Sequence, residues 1–192
     1  MTRVQSNPGS RLDLALVHYP VQNRKGELIG SAVTNLDIHD IARIGRTYGI
    51  NRFYLVTPYA EQHELVAELL EHWLKGRGGE LNPHRKEALE LVRLVPDLAA
   101  LQEEVGSHRG ASPLTLATSA RVQPETMDYH EARRRLERGD PILILLGTAS
   151  GLAPEALSDV DAFLPPISGG SDYNHLPVRA AAAIILDRLL AP

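Results

Sequence analysis

Hydrophobic residues in this 192-residue chain gather in short runs of strand length, and between the runs they recur at helical spacing. LDLALVH (12–18), RFYLVTP (52–58) and PLTLATS (113–119) predict strands. PILILL (141–146) contains no polar residue, the pattern of a strand buried on both faces. DAFLPPI (161–167) is a weaker candidate that ends in a proline pair.

A long polar connection, YPVQNRKGELIGSAVTN (19–35), leads into a helix predicted over 36–48. Thr34 and Asp37 have the spacing of a capping box, Ile38, Ile41, Gly45 and Tyr48 share one face, and Gly49 can end the helix. The segment 61–74 reads as an amphipathic helix with Leu65, Leu69 and Trp73 on its apolar stripe. KGRGG (75–79) interrupts it, and Pro83 suits the first turn of a helix expected to reach about Leu94. Further helices fall near 97–105, over 129–139, and from about His175 to Leu190, the last with Asn174 as its expected cap. That final segment, PVRAAAAIILDRLL, is apolar on nearly every side and is expected to be buried. Residues 1–10 read as a flexible tail ahead of one domain over 11–192.

Strands alternating with helices predict an α/β protein with a mostly parallel sheet flanked by helices. Such sheets bind ligands beyond the carboxyl ends of their strands. That directs attention to the loops after Thr118, Leu146 and Pro166. GTASGLAPE (147–155) offers a glycine beside small hydroxyls, and PPISGGSDYNHLP (165–177) combines a stiff entry with a glycine pair. TSARVQPET (118–126) lies on the same rim.

Composition narrows the chemistry. There is no cysteine, so disulfides, thiolate metal sites and cysteine nucleophiles are excluded. The histidines show no metal-binding spacing, and no metal is expected. Neither a phosphate-binding GKT loop, a GxGxxG turn nor a GxSxG elbow occurs. No secretory signal pattern opens the chain and its apolar runs are too short to span a membrane, which predicts a cytoplasmic protein. The formal net charge of −4 runs against nucleic-acid binding. Basic residues are nevertheless clustered, as Lys75, Arg77, His84, Arg85 and Lys86, and as Arg133, Arg134, Arg135 and Arg138.

The stretch ILILLGTASGLAPEALSDVDAFLPPISGGSDYNHLPVRAAAAIILDRLL resembles the cofactor-binding half of the SPOUT, or α/β-knot, methyltransferases, most nearly a small stand-alone bacterial group. NLDIHDIARIGRTYGI (35–50) resembles the first motif of the ribose 2′-O branch at Asn35, Arg43, Tyr48 and Gly49. The resemblance implies an S-adenosylmethionine-dependent RNA methyltransferase acting on tRNA or rRNA. Its last helix would thread a deep trefoil knot, and its homodimer would form through the knot region. It implies a cofactor pocket from Thr118, Ser119 and Ala120, from Leu146, Gly147 and Thr148, and from Ile167, Gly169, Gly170, Tyr173, Asn174 and Leu176. Ala149 stands where the ribose branch often has a glutamate, and SDY (171–173) resembles the GDY of the guanine-N1 branch. The acceptor therefore stays open between a base nitrogen and a ribose hydroxyl.

On this reading Arg43 orients the acceptor, Asp172 is the candidate base, and Asn35 positions either group. Lys25, Arg24, Arg85 and Arg133–Arg135 are candidate phosphate contacts. Two alternatives remain: a module that binds S-adenosylmethionine or RNA without catalysis, and a small unrelated α/β hydrolase. Cofactor affinity separates the second from the rest, and turnover separates the first.

Overall fold

The structure, a computed structural model, describes residues 8–192. Its elements in chain order are β1 (Leu12–Val17), β2 (Val21–Gln22), β3 (Leu28–Ile29), α1 (Asn35–Tyr48), β4 (Arg52–Val56), α2 (Ala60–Leu74), α3 (Arg77–Leu81), α4 (Pro83–Leu89) and β5 (Val92–Val95). They continue as α5 (Leu98–Arg109), β6 (Leu114–Ala117), α6 (Tyr129–Arg138), β7 (Ile142–Gly147), β8 (Ala162–Phe163) and α7 (Val178–Leu190). Six strands form one sheet in the order β5-β4-β1-β7-β6-β8, and every pairing is parallel.

The sheet is covered on both faces because its central strands alternate between two cores. Leu12, Leu14 and Leu16 of β1 point to one side with Ile142, Ile144 and Leu146 of β7, where they meet α1, α4, α6 and α7. Ala15, Val17, Leu143 and Leu145 point to the other, against Leu101 and Val105 of α5 and against Leu152 and Ala156. PILILL is thus buried on both faces, as its composition requires. Helix α1 begins as expected, with the Thr34 hydroxyl accepting from the Asp37 N–H and donating to its carboxylate. It ends on Gly49 in the left-handed region at φ 69°.

Several expectations need correction. The helix opened by Pro83 stops at Leu89, and Val92–Val95 is the edge strand β5. The polar connection after β1 contains the antiparallel hairpin β2–β3, closed through Gly26 at φ 79°. On α2 the buried residue is Val66, backed by Leu69, Leu70 and Trp73, while Leu65 is exposed. Helix α7 starts at Val178 after Pro177, without a side-chain cap, and Asn174 bonds elsewhere. It is buried on one face only: Ala182, Ile185, Leu186 and Leu189 are enclosed, whereas Ala180, Ala181, Ala183 and Ile184 stay half-exposed. Of the expected tail, residues 1–7 lie outside the described residues, and Pro8–Arg11 forms a 3-10 turn. Gly9 there is pressed so closely on Tyr48 and Gly49 that a Cβ would fall 2.5 Å from the Tyr48 carbonyl oxygen.

Candidate active site

Because all six strands run the same way, Val17, Val56, Val95, Ala117, Gly147 and Phe163 end on one rim. The chain leaves β1 toward β4 on one side, while β7 has β6 on the other, so the order reverses between β1 and β7. A crevice at such a reversal is where open parallel sheets take ligands.

Hydrogen bonds stitch the rim loops together. Thr148 Oγ1 donates to the Val17 carbonyl at 2.9 Å and lies 2.5 Å from Ser31 Oγ, joining the loop after β7 to the segment before α1. The Thr118 N–H and hydroxyl both donate to the Leu145 carbonyl, at 3.1 and 3.0 Å. Asn174 Nδ2 donates to the Ala120 carbonyl at 2.7 Å, tying the loop after β8 to the loop after β6. The Tyr129 hydroxyl anchors the same loop by donating to the Pro165 carbonyl at 3.2 Å. All three loops singled out in the sequence therefore come together, although the glycine-rich one stays exposed over residues 168–173.

The individual positions differ in what they can offer. Leu146 is buried in the core, so it presents only backbone to the rim. A Cβ on Gly147 would fall 2.7 Å from the Leu152 nitrogen and 3.0 Å from the Gly151 carbonyl carbon. The glycine is required by the chain's own return, whatever ligand approaches it. Gly147→Ala is expected to cost about 1–3 kcal/mol through overpacking against backbone that cannot yield; thermal unfolding of the variant measures this, and an unchanged midpoint would refute it. Gly170 occupies the left-handed region at φ 78° and, like Gly169, has open space where a Cβ would stand. Ala149 is the one non-glycine residue with positive φ among the described residues, at 52°. Such strain concentrates at functional sites. Among the described residues, the backbone N–H groups of Ala120, Ala149, Ile167, Gly169 and Leu176 meet no protein acceptor, so the rim holds a set of open donors.

Asn35 and Arg43 lie on one face of α1, about 12 Å apart along its axis. Helical side chains lean toward the N-terminus, so Arg43 reaches back toward Asn35 and the rim. Arg43 is exposed and makes no ion pair among the described residues, because Asp40 and Asp37 instead face Arg179 at 3.6 and 3.8 Å. Asp172 and Tyr173 are exposed on the last loop, with Tyr173 edge-on to His175 at 5.4 Å between ring centres. Within one chain the structure does not bring Asp172 into hydrogen-bond contact with Arg43 or Asn35. The arginines of α6 are committed: Arg134 and Arg135 bond Glu131, at 2.7 and 3.0 Å. Arg85 lies over the Trp73 ring at 5.0 Å.

Sequence reasoning passed over His18, Ser31 and Tyr59. His18 directly follows β1 and is fully buried, with Nδ1 3.0 Å from Ser31 Oγ and Nε2 without a partner among the described residues. Burial holds its pKa down at about 4, against the raising influence of Asp37 and of hydrogen bonding to Ser31. The signal was available: a histidine closing a buried apolar strand must be satisfied by something at the rim.

A family model described as SAM-dependent RNA methyltransferase matches residues 11–191. The chain belongs to this family. Among its relatives, a "tRNA (guanine-N(1)-)-methyltransferase" of Oleidesulfovibrio alaskensis is 45% identical over 186 residues, which are 97% of this chain and 43% of that protein. An uncharacterized protein of Aquifex aeolicus is 40% identical over 179 residues, 93% of this chain and 87% of its own length. The chain thus spans less than half the length of the first relative and most of the second. Its fold is that of the SPOUT methyltransferases. The SpoU methyltransferase AviRb of Streptomyces viridochromogenes, solved in complex with the cofactor AdoMet, superposes with a TM-score of 0.56 at 15% identity. That match covers 95% of this chain and 57% of AviRb. No helix among the described residues is long and apolar enough to cross a membrane.

Proposed function

We propose that this chain, as one domain over 11–192, transfers the methyl group of S-adenosylmethionine to a nucleotide of tRNA in the cytoplasm. The observation that carries the reading is the stitched rim, in which three loops at the carboxyl ends of β6, β7 and β8 present backbone N–H groups that have no acceptor among the described residues. Family membership and the tRNA-directed name of the longer relative support it.

Bound there, S-adenosylmethionine would supply an electrophilic methyl on sulfonium sulfur. The residues fit such a polar, elongated ligand. Backbone of Thr118, Ser119 and Ala120, of Leu146, Gly147 and Thr148, and of Ile167, Gly169 and Gly170 would hold it. Asn174 braces two of these loops, and the exposed Tyr173 and Leu176 supply apolar cover. Methyl transfer then requires alignment of the acceptor and removal of its proton. Arg43, free of carboxylate partners, orients the acceptor with Asn35, and Asp172 takes the proton. Since Asp172 stands apart from Arg43 within one chain, a second copy completes the site. The half-exposed small-residue face of α7 (Ala180, Ala181, Ala183, Ile184) and the exposed Val122 supply its contact, with α7 threaded through the knot.

Calorimetric titration with S-adenosylmethionine, followed by methyl transfer to unfractionated tRNA, tests this. We expect micromolar binding, about fivefold to tenfold weaker in Asn174→Ala because one loop-bracing hydrogen bond worth about 1 kcal/mol is lost. Arg43→Ala should keep the cofactor affinity and lose turnover. Absence of binding by the parent protein would overturn the proposal.

A further inference from the structure

We infer that the hairpin β2–β3 and Tyr59 form the RNA-side wall of the rim and hold a nucleotide unstacked from its neighbours; this rests on the RNA-directed reading above. With a formal charge of −4, the cations that matter for a polyanion are those not already committed to carboxylates. On α6, Arg133 faces Glu137, while Arg134, Arg135 and Arg138 converge on Glu131. Arg46, Arg52 and Arg109 are held by Glu87, Glu104 and Asp13. Arg24 and Lys25 differ. Both are exposed at the hairpin tip, and neither has an ion-pair partner among the described residues.

The tip is shaped in advance. Asn23 Oδ1 accepts from the N–H groups of Lys25 and Glu27 at 2.8 and 3.1 Å. Asn23 Nδ2 donates to the Glu27 carboxylate at 2.6 Å, which draws that one nearby negative charge back onto the turn. The hairpin is also fixed to the candidate cofactor loop: the Gln22 N–H donates to the Gly151 carbonyl at 3.0 Å, and the Ser150 N–H donates to the Gln22 carbonyl at 2.9 Å.

Tyr59 lies across the base of the hairpin. A Cβ on Gly30 would fall 2.3 Å from the Tyr59 hydroxyl, so only glycine lets the ring settle there. The ring meets Tyr19 edge-on, with centres 6.1 Å apart, and remains 40% exposed. An exposed ring at the base of a hairpin whose tip carries two cations without ion-pair partners matches the way proteins take single-stranded nucleotides, stacking the base and neutralising the flanking phosphates. A regular duplex offers Tyr59 no base face. Helix α2, which starts directly after Tyr59, carries the acidic positions Glu61, Glu64, Glu68 and Glu71, which repel a polyanion along the helix and favour its approach over the hairpin.

Unfractionated tRNA is titrated at several salt concentrations into the parent, Arg24→Gln/Lys25→Gln, Tyr59→Ala, Tyr59→Phe and, as a cation on the opposite rim, Arg46→Gln. S-adenosylmethionine is titrated into the same proteins. The double variant is expected to bind tRNA about tenfold more weakly, with a log–log salt slope shallower by about 1.4 for two lost phosphate contacts. Tyr59→Ala should lose about tenfold and Tyr59→Phe little, since stacking needs the ring and not the hydroxyl. Arg46→Gln should match the parent, and S-adenosylmethionine affinity should be unchanged throughout. A double variant with parental affinity and slope, or a Tyr59→Ala protein that binds as the parent does, overturns the inference. Failure of the parent itself to bind tRNA would overturn the RNA reading and the wall with it.

Discussion

Replacing Arg109 with alanine is expected to lower the unfolding free energy by about 3–5 kcal/mol. The reason lies in Asp13, a carboxylate at the second position of a strand whose other residues are apolar and fully buried. Arg109 reaches it from the end of α5, donating from Nε at 2.8 Å and Nη2 at 2.6 Å, while Asn51 Nδ2 donates at 2.6 Å to the other oxygen. The paired side chains are only 6% and 1% exposed. Truncating Arg109 leaves a buried charge with a single neutral donor, the case in which desolvation is uncompensated. For a chain of this size the melting temperature should fall on the order of 10 °C. The double substitution Asp13→Leu/Arg109→Met, which removes both charges, should recover most of the loss. By contrast Arg134→Ala, which breaks an exposed pair with Glu131, should cost less than about 1 kcal/mol. Chemical denaturation of the three variants decides the matter. A loss for Arg109→Ala as small as that for Arg134→Ala would show that water reaches Asp13 and that the pair is not buried in solution.

This ion pair also shows where the sequence stops being legible. An aspartate inside LDLALVH announces that a partner exists, but the partner lies 96 residues away on a helix whose position only the fold determines. Local patterns were far more readable. Thr34, Asp37 and Gly49 fix both ends of α1 through short-range geometry, and the uninterrupted apolar run of β7 could hardly serve anywhere but the sheet centre. Strand β5 escaped because Leu89 and Val92 continue the spacing of the preceding helix, and a strand of four residues is too short to show its own period. The hairpin escaped for a similar reason, since its strands have two residues each, although Asn23 and Gly26 around a polar tip were a turn signal. On α2 the predicted stripe through Leu65 is displaced by one residue to Val66 because packing against α3 and α4 sets the helix rotation. At the site, the order of strand, glycine loop and small-residue helix was readable as a resemblance. The hydrogen bonds that join the loops, from Asn174 to Ala120 and from Ser31 to Thr148, connect residues 54 and 117 positions apart and needed the structure.

His18 should make the protein lose about 3 kcal/mol of stability as the pH falls from above 6.5 to about 4, the second-largest effect expected of any one side chain. The hydrogen-bond chain explains why the imidazole resists protonation. Thr148 Oγ1 donates to the Val17 carbonyl, so Ser31 Oγ donates to Thr148, and His18 donates from Nδ1 to Ser31. That assigns the neutral ring its one proton and leaves the buried Nε2 without a partner among the described residues. A second proton at Nε2 would find no acceptor there. The folded histidine therefore has a depressed pKa, and the sign follows. Above 6.5 both folded and unfolded states are neutral at this residue and stability does not depend on it. Between 6.5 and about 4 the unfolded state takes up a proton that the folded state refuses, so stability declines with falling pH, then levels off once both states are charged. Urea denaturation at pH 7.5 and pH 5 should differ by about 2 kcal/mol in the parent, 1.4 kcal/mol for each unit below 6.5. Burial also lowers the pKa of His39, so its contribution has the same sign, and the comparison must be made against His18→Gln. That variant should show a distinctly flatter response over the same interval. Equal slopes in the two proteins would mean that His18 takes its proton within the fold, and that the Ser31–Thr148 connection at the rim opens to accommodate it.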